Sequence, residues 1–176
     1  MIYFPREDSF LLEKEVKKYA KGKSFLDLGA GSGVQAKAAK QAGAKSILCA
    51  DINEEALKEL KYKGFSTIKS DLFSSIKGKF DLIAFNPPYL PEDKREDIES
   101  AQTTTGGKQG DELIVKFLKE VKNHLNKDGI ILLVVSSLTP KERILKVLEE
   151  NSFKHRVISS QNFFFETLEV WKIETQ

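Results

Sequence analysis

Short apolar runs alternate along the chain with stretches whose apolar residues recur at helical spacing, which predicts strands and amphipathic helices in turn. A first helix is expected over Asp8 to Ala20. Asp8 or Ser9 would cap it, Phe10, Leu11, Leu12, Val16 and Tyr19 would form its apolar face, and Gly22 would stop it. Ser24 to Leu28 reads as a strand, followed by the turn Gly29-Ala30-Gly31-Ser32-Gly33 and a small-residue helix through Val34, Ala36, Ala38 and Ala39. Ser46 to Ala50, Phe65 to Lys69 and Phe80 to Phe85 read as further strands, with a short helix over Asn53 to Leu60. Beyond an irregular stretch rich in Pro and Gly, a helix is expected from Asp111 to about Asn126, stopped by Asp128-Gly129. Ile130 to Ser136 is a continuous apolar run, as in a buried central strand, and a last helix starts at Pro140 and ends near Glu150-Asn151. Two strand-like runs close the chain. In Thr167 to Ile173, Leu168, Val170 and Ile173 lie among polar neighbours and Trp171 breaks the alternation, so the pair is expected as an antiparallel hairpin at a sheet edge. The whole pattern is α/β with a mainly parallel sheet, expected as one domain over residues 1–176.

Composition narrows the chemistry. A formal net charge of +2, with Lys interleaved among Glu on helix faces, is no footprint for strong nucleic-acid binding. The single cysteine, Cys49, permits neither an internal disulfide nor a Cys-rich metal site, and its apolar neighbours predict a packed small hydrophobe. No apolar stretch approaches the roughly 18 residues of a membrane span, and Met1 to Pro5 is too short for a secretory signal, so a cytoplasmic location is expected. His124 and His155 are isolated and read as structural.

Ligands of open α/β sheets bind beyond the carboxyl ends of the strands, so the residues there decide the function. After the first strand, Asp27-Leu28-Gly29-Ala30-Gly31-Ser32-Gly33 allows a sharp turn and close backbone approach. A dinucleotide fingerprint would need glycine where the chain has Val34. Asp51 follows the second strand as an acceptor-only group suited to ribose hydroxyls. Asp71 follows the third and suits an adenine amino group, while Leu72 can pack on the ring. The turn with both acids points to S-adenosylmethionine.

The fourth strand runs into Asn86-Pro87-Pro88-Tyr89. Two prolines brace the backbone and remove two N–H donors. The Asn86 side-chain oxygen and the Pro87 carbonyl are then two acceptors at the spacing of one NH₂ group, with Tyr89 as a plate for a flat amide or base. Methyl transfer from a sulfonium by in-line displacement needs no metal and no covalent intermediate, so positioning carries the catalysis.

On these residues the chain resembles the HemK-type glutamine methyltransferases of translation release factors. Gly106-Gly107-Lys108-Gln109-Gly110 is similar to the family's Gly-Gly-x-x-Gly signature, and Tyr3-Phe4-Pro5-Arg6-Glu7-Asp8-Ser9-Phe10-Leu11-Leu12 resembles the segment of the archaeal and eukaryotic branch. Bacterial members carry a helical domain before that segment, and this chain is expected to lack it. The resemblance implies a class I methyltransferase, Rossmann-like: a seven-stranded mostly parallel sheet with helices on both faces, an antiparallel C-terminal hairpin and a short N-terminal helical segment over 1–22. It implies Ser9, Asp27, Gly29, Ala30, Gly31, Asp51, Ile52, Asp71, Leu72 and Asn86 at S-adenosylmethionine, and Asn86, Pro87 and Tyr89 at the target amide. Asp27 departs from the Glu of many members of the branch. The implied substrate is the glutamine of the Gly-Gly-Gln loop of a class 1 release factor. The implied partner is a small zinc-binding activator protein that adds a strand beside Phe65 to Lys69.

Three other readings share the motif. An adenine-N6 or guanine-N2 methyltransferase also grips a flat NH₂ group, but needs a basic path for its strand. A protein lysine methyltransferase is compatible with the same corner. A methyltransferase-like binding module would hold nucleotide or partner without turnover, although the acids and the Asn86 to Tyr89 motif are intact.

Overall fold

The computed structural model describes residues 6–88 and 107–176. They form α1 (Glu7–Tyr19), β1 (Ser24–Leu28), α2 (Val34–Gln41), β2 (Ser46–Asp51), α3 (Glu54–Tyr62), β3 (Ser66–Lys69), β4 (Phe80–Phe85), α4 (Glu112–Glu120), a 3₁₀ turn (Val121–His124), β5 (Leu125–Ser136), α5 (Glu142–Glu150), β6 (Phe153–Asn162) and β7 (Thr167–Thr175). The strands make one sheet in the order β3-β2-β1-β4-β5-β7-β6. The pairings from β3 across to β5 are parallel, and β7 runs antiparallel to both β5 and β6.

Burial on both faces explains why the central strands are almost wholly apolar. On one face Leu11, Leu12 and Val16 of α1 and Ala38 and Ala39 of α2 cover Phe25, Leu82, Leu132, Val134 and Val170. Leu60 of α3 joins Ala36 and Cys49 on the same side. On the other face Ile114, Phe117 and Leu118 of α4 and Ile144, Val147 and Leu148 of α5 cover Leu26, Ile83, Phe85, Ile131, Leu133 and Trp171. Burying each large apolar side chain stabilises by ~1.5–3 kcal/mol, so β4 and β5 are held far more firmly than the edges.

The structure corrects three local expectations. First, α1 begins at Glu7 with Arg6 as its N-cap and no side-chain cap, so neither Asp8 nor Ser9 caps the helix. Both are buried and turned to other work, and Phe10 is half exposed rather than part of the apolar face. Second, the helix expected from Asp111 to Asn126 ends at Glu120, and Leu125 already pairs with Phe80. Residues 126–129 bulge out opposite Asp81, because the next pair in register is Leu82 with Ile130. Asp128, with φ +61°, turns the bulge, and Asn126 Nδ2 donates to Asp81 Oδ1 at 2.8 Å. Asp128-Gly129 therefore shapes a strand instead of ending a helix. Third, the antiparallel hairpin stands at the sheet edge as expected, but β7 is its inner strand, between β5 and β6, and is covered on both faces, so Trp171 packs in the core.

From β1 the chain winds outward to β3, then crosses back to β4 on the other side of β1. This reversal opens a crevice at the carboxyl ends of β1 and β4, where open α/β sheets place their ligands.

Candidate active site

A cleft of about 890 Å³ occupies that crevice. One wall is made by the turns after β1 and β2. The Gly29 and Ala30 N–H groups donate to the Ala50 carbonyl at 2.8 and 3.0 Å. Gly31 donates to Asp51 Oδ2 at 2.8 Å and Asn53 to Asp51 Oδ1 at 2.8 Å. Asp51 thus ties the two turns together, and each carboxylate oxygen keeps a lone pair for a further donor. Gly29 and Gly31 have φ of +69° and +48°, a region that favours glycine, and a Cβ on Gly33 would run into Leu60. Asp27 is 2 % exposed and accepts from the Ala36 N–H at 2.9 Å, which draws the start of α2 against β1. Burial, aided by the negative charge of Asp51, pushes its carboxyl up to about 8 against the pull of the Ala36 N–H. Ile52 presents an exposed apolar side chain beside Asp51. Leu72 is buried at φ +46°, an unusual conformation for a branched residue, and Ser70 Oγ holds it by donating to its carbonyl at 2.7 Å. Asp71 is exposed and pairs with Lys116 at 3.3 Å.

The opposite wall is the exit of β4. Phe85 packs against Phe117 with ring centroids 4.7 Å apart, and Phe117 stacks in turn on Phe73 at 5.7 Å, so the strand end is clamped by aromatic rings. Asn86 follows. Its Nδ2 donates to Asp8 Oδ2 at 3.1 Å, and a carboxylate only accepts, so Oδ1 must point the other way. That Oδ1 is buried and meets no donor among the described residues. Gln35 repeats the pattern: Nε2 donates to the Ser9 carbonyl at 2.9 Å, and Oε1 is buried without a donor among the described residues. Both residues line the cleft. A buried orphaned acceptor costs ~1–3 kcal/mol, so two in one cleft mark places where a ligand brings N–H or O–H groups.

The charged lining is one-sided: Arg6 faces Glu7, Asp8, Asp27, Asp51, Glu55, Asp71 and Glu166. After the gap in the described residues the chain re-enters at a tight turn. Glu112 accepts from the Gln109 and Gly110 N–H groups, each at 3.1 Å. Gly107 (φ +113°) and Gly110 (φ +91°) are required there, and a Cβ on Gly107 would overlap the Glu112 carboxylate. Next in sequence, the fully buried Asp111 takes a two-pronged grip from Arg143 of α5. This fixes the start of α4, and with it Phe117 behind Phe85.

A family model described as the methyltransferase small domain matches residues 7–165. The chain belongs to that family. Among relatives of this methyltransferase, a Methanocaldococcus jannaschii protein named as a candidate protein N5-glutamine methyltransferase is 37 % identical, over 98 % of this chain and 92 % of its own. Human methyltransferase HEMK2 is 31 % identical over 97 % of this chain and 88 % of its own. The E. cuniculi Mtq2 structure, solved in complex with Trm112 and described as responsible for methylating the termination factor eRF1, superposes with a TM-score of 0.81 at 26 % identity over 99 % of both chains. The fold is that of class I methyltransferases, and S-adenosylmethionine is the donor the cleft suits.

The methyltransferase brings Ser9, Asp27, Gly29, Ala30, Gly31, Asp51, Ile52, Asp71, Leu72, Asn86 and Pro87 to this one cleft. Tyr89 lies outside the described residues, as does Gly106. Five contributors have no counterpart among the site residues expected from the sequence. Asp8 looks like an ordinary helix cap, Gln35 like one more polar residue on a small helix, and Phe163 with Glu166 and Leu168 reaches the cleft from the far hairpin. An unbroken Phe163-Phe164-Phe165 run where a turn residue is expected was the available signal. Cys49 is fully buried, with its thiol pushed upward by burial, as a core residue should be. His124 stacks on Phe73 and His155 on Trp171, both as packing.

Proposed function

We propose that the chain methylates the side-chain nitrogen of a glutamine in a protein, the Gly-Gly-Gln loop of a class 1 release factor, using S-adenosylmethionine. The observation that carries this reading is the Asn86 amide in the cleft wall, its NH₂ end held by Asp8 and its buried oxygen left without a donor among the described residues. Asn86 Oδ1 and the Pro87 carbonyl accept the two hydrogens of the target NH₂ group and keep its nitrogen directed at the donor. Asp51 takes ribose hydroxyls, Ile52 and Leu72 hold the adenine between them, and Asp71 accepts from its amino group. The Gln35 oxygen and Asp27 receive the donor's ammonium, while Ser9, Gly29, Ala30 and Gly31 shape the floor. S-adenosylmethionine, when bound, supplies an electrophilic methyl group. The amide nitrogen bonds to that carbon as the carbon–sulfur bond breaks, its electron pair stays on sulfur, and one amide proton leaves to solvent. Alignment of this kind contributes ~7–11 kcal/mol in well-oriented cases.

The lining's charge supports a protein amide over the alternatives. Among the described residues, phosphates would meet mainly carboxylates along this cleft, which disfavours a nucleic-acid strand there. A lysine ammonium is held protonated by the same carboxylates and then lacks the lone pair that attacks. The E. cuniculi assembly and the exposed edge of β3 support a small activator protein, zinc-binding in the resemblance, pairing beside Ser66–Lys69. Ser66 and Lys69 are exposed there, and Tyr62, just upstream, is 95 % exposed. One sheet carries both walls of the cleft, in keeping with a single domain, and the likeness to a named eRF1 methyltransferase subunit supports work in the cytoplasm.

The test is to co-express chain and activator, supply labelled S-adenosylmethionine with release factor, tRNA and a lysine-rich protein, and map the label. Label on the glutamine of Gly-Gly-Gln, lost in Asn86→Ala, is expected. Label on nucleobase or lysine instead, or cofactor binding without transfer to any of them, would refute the reading.

A further inference from the structure

The β6–β7 hairpin carries an aromatic tip that the fold does not need. Phe163 donates its N–H to the Glu166 carbonyl at 2.7 Å, so Phe164 and Phe165 occupy the two central turn positions. Hairpin turns favour Asn and Gly, and large rings gain nothing there from folding. Phe164 is 91 % exposed and Phe165 82 %, and their rings meet edge to face at 4.4 Å. Exposed rings set in a turn, with no packing role, point to a contact with another molecule.

The tip is also firmly aimed. Ser136 Oγ, at the carboxyl end of β5, donates to Glu166 Oε1 at 2.6 Å. Ser137 N–H donates to the Thr167 carbonyl at 2.8 Å, and Thr167 N–H to Ser137 Oγ at 2.9 Å. Leu138, in that same loop, is half exposed. β5 runs directly beside β4, with Leu133 opposite Phe85. Phe163 and Glu166 line the cleft that holds Asn86. The rings therefore stand on the rim at the acceptor side, continuous with the wall where the amide is received.

We propose that Phe163, Phe164 and Phe165 grip the substrate polypeptide beside its methylated glutamine, by laying aromatic faces on side-chain-poor peptide planes. This rests on the reading of the site as a glutamine methyltransferase. Charge commits the occupant to an uncharged peptide. From Ser159 to Leu168 the only charged residue is Glu166, its carboxylate already engaged by Ser136, so the hairpin itself offers no cation to a phosphate or an acidic segment. Glycines flanking the glutamine leave bare peptide planes on which rings can stack.

The informative variant is Phe164→Ser with Phe165→Ser, which removes both rings and puts turn-compatible residues at two positions whose φ is not positive. Steady-state methylation is measured on release factor, with S-adenosylmethionine affinity by calorimetry and a melting curve as a check on folding. Transfer by the unaltered chain to the glutamine tests the underlying reading by itself, and its absence removes that reading before the tip is considered. Given that transfer, the variant is expected to raise KM for release factor about tenfold or more, with kcat and cofactor affinity within about twofold. An unchanged KM overturns the grip. So does a KM rise accompanied by the loss of a homodimer in sedimentation, which would make the tip a contact between copies. Selective loss of RNA binding would likewise assign the rings to nucleobases and overturn the proposal.

Discussion

Asp8 should govern the rate without touching the substrate. Its Oδ2 accepts from Asn86 Nδ2 at 3.1 Å, and its Oδ1 accepts from Ser9 N–H at 2.6 Å. Asp8→Leu leaves the Asn86 NH₂ end with no acceptor there. Either that buried donor stays unpaired, at ~1–3 kcal/mol, or the amide turns over and presents NH₂ to an NH₂ substrate. Both outcomes remove the productive orientation, so kcat should fall ~10- to 100-fold. Asp8→Asn keeps the shape but can present either end of its own amide, and loses the extra strength of an ionised acceptor. Its expected loss is smaller, about tenfold, in keeping with the gap between charged and neutral hydrogen bonds. The assay is single-turnover methylation at saturating release factor and cofactor, with cofactor affinity measured separately, because Asp8 also orients Ser9. If both folded variants keep kcat within about twofold of the parent, amide orientation by Asp8 is refuted.

Asn86→Ala should abolish transfer while S-adenosylmethionine affinity stays within about tenfold by calorimetry, because its oxygen serves mainly the target nitrogen. Asp51→Ala should weaken the cofactor more than Asn86→Ala does, since the Gly31 and Asn53 N–H groups lose their shared anchor along with the proposed ribose contacts. Asp27 should make binding pH-dependent: its carboxyl holds a proton up to about 8, and a cationic ligand beside it favours the ionised form. Cofactor affinity should then rise with pH to about 8 and level off, with proton release detectable by comparing buffers of different ionisation enthalpy, and Asp27→Asn should flatten the curve. Stability runs the other way: the folded carboxyl keeps a proton that the unfolded one gives up near 3.8, so its contribution is fullest below that value and is lost as pH rises to about 8. A chain whose melting temperature is equally flat with and without Asp27 would contradict this.

Most of the framework was legible because its signals are local. β1 and β4 fall where their apolar runs predict, and the Gly29 to Gly33 turn needs only backbone freedom to be recognised. Misreadings arose where a distant partner decides. Asn126 to Gly129 resembles a helix end, and pairing with β4 on either side of Asp81 makes it a strand bulge. Asp8 looks like a cap, and its acceptor role depends on Asn86, 78 residues away. Gln35 becomes informative only when its second amide atom is seen to be orphaned. Local spacing reports which backbone will form, whereas the polar atoms that remain unpaired are a property of the assembled cleft.

Unpaired acceptors also determine when the reaction stops. An amide NH₂ offers two hydrogens, one for Asn86 Oδ1 and one for the Pro87 carbonyl in the proposed complex. After one transfer the nitrogen keeps a single hydrogen, so one of the two acceptors faces a methyl group instead. An unmatched buried acceptor costs ~1–3 kcal/mol, which disfavours rebinding in the reactive pose about 5- to 150-fold. The clamp behind the corner gives that penalty its force: Phe85 and Phe117 are buried in ring contact, so the strand end cannot shift to relieve it. Release factor carrying monomethylated glutamine should therefore bind without further transfer, and mass spectrometry after exhaustive incubation should show one added methyl group. Accumulation of a dimethylated amide would mean that the two acceptors do not hold the target hydrogens, and the orientation assigned to Asn86 would have to be abandoned.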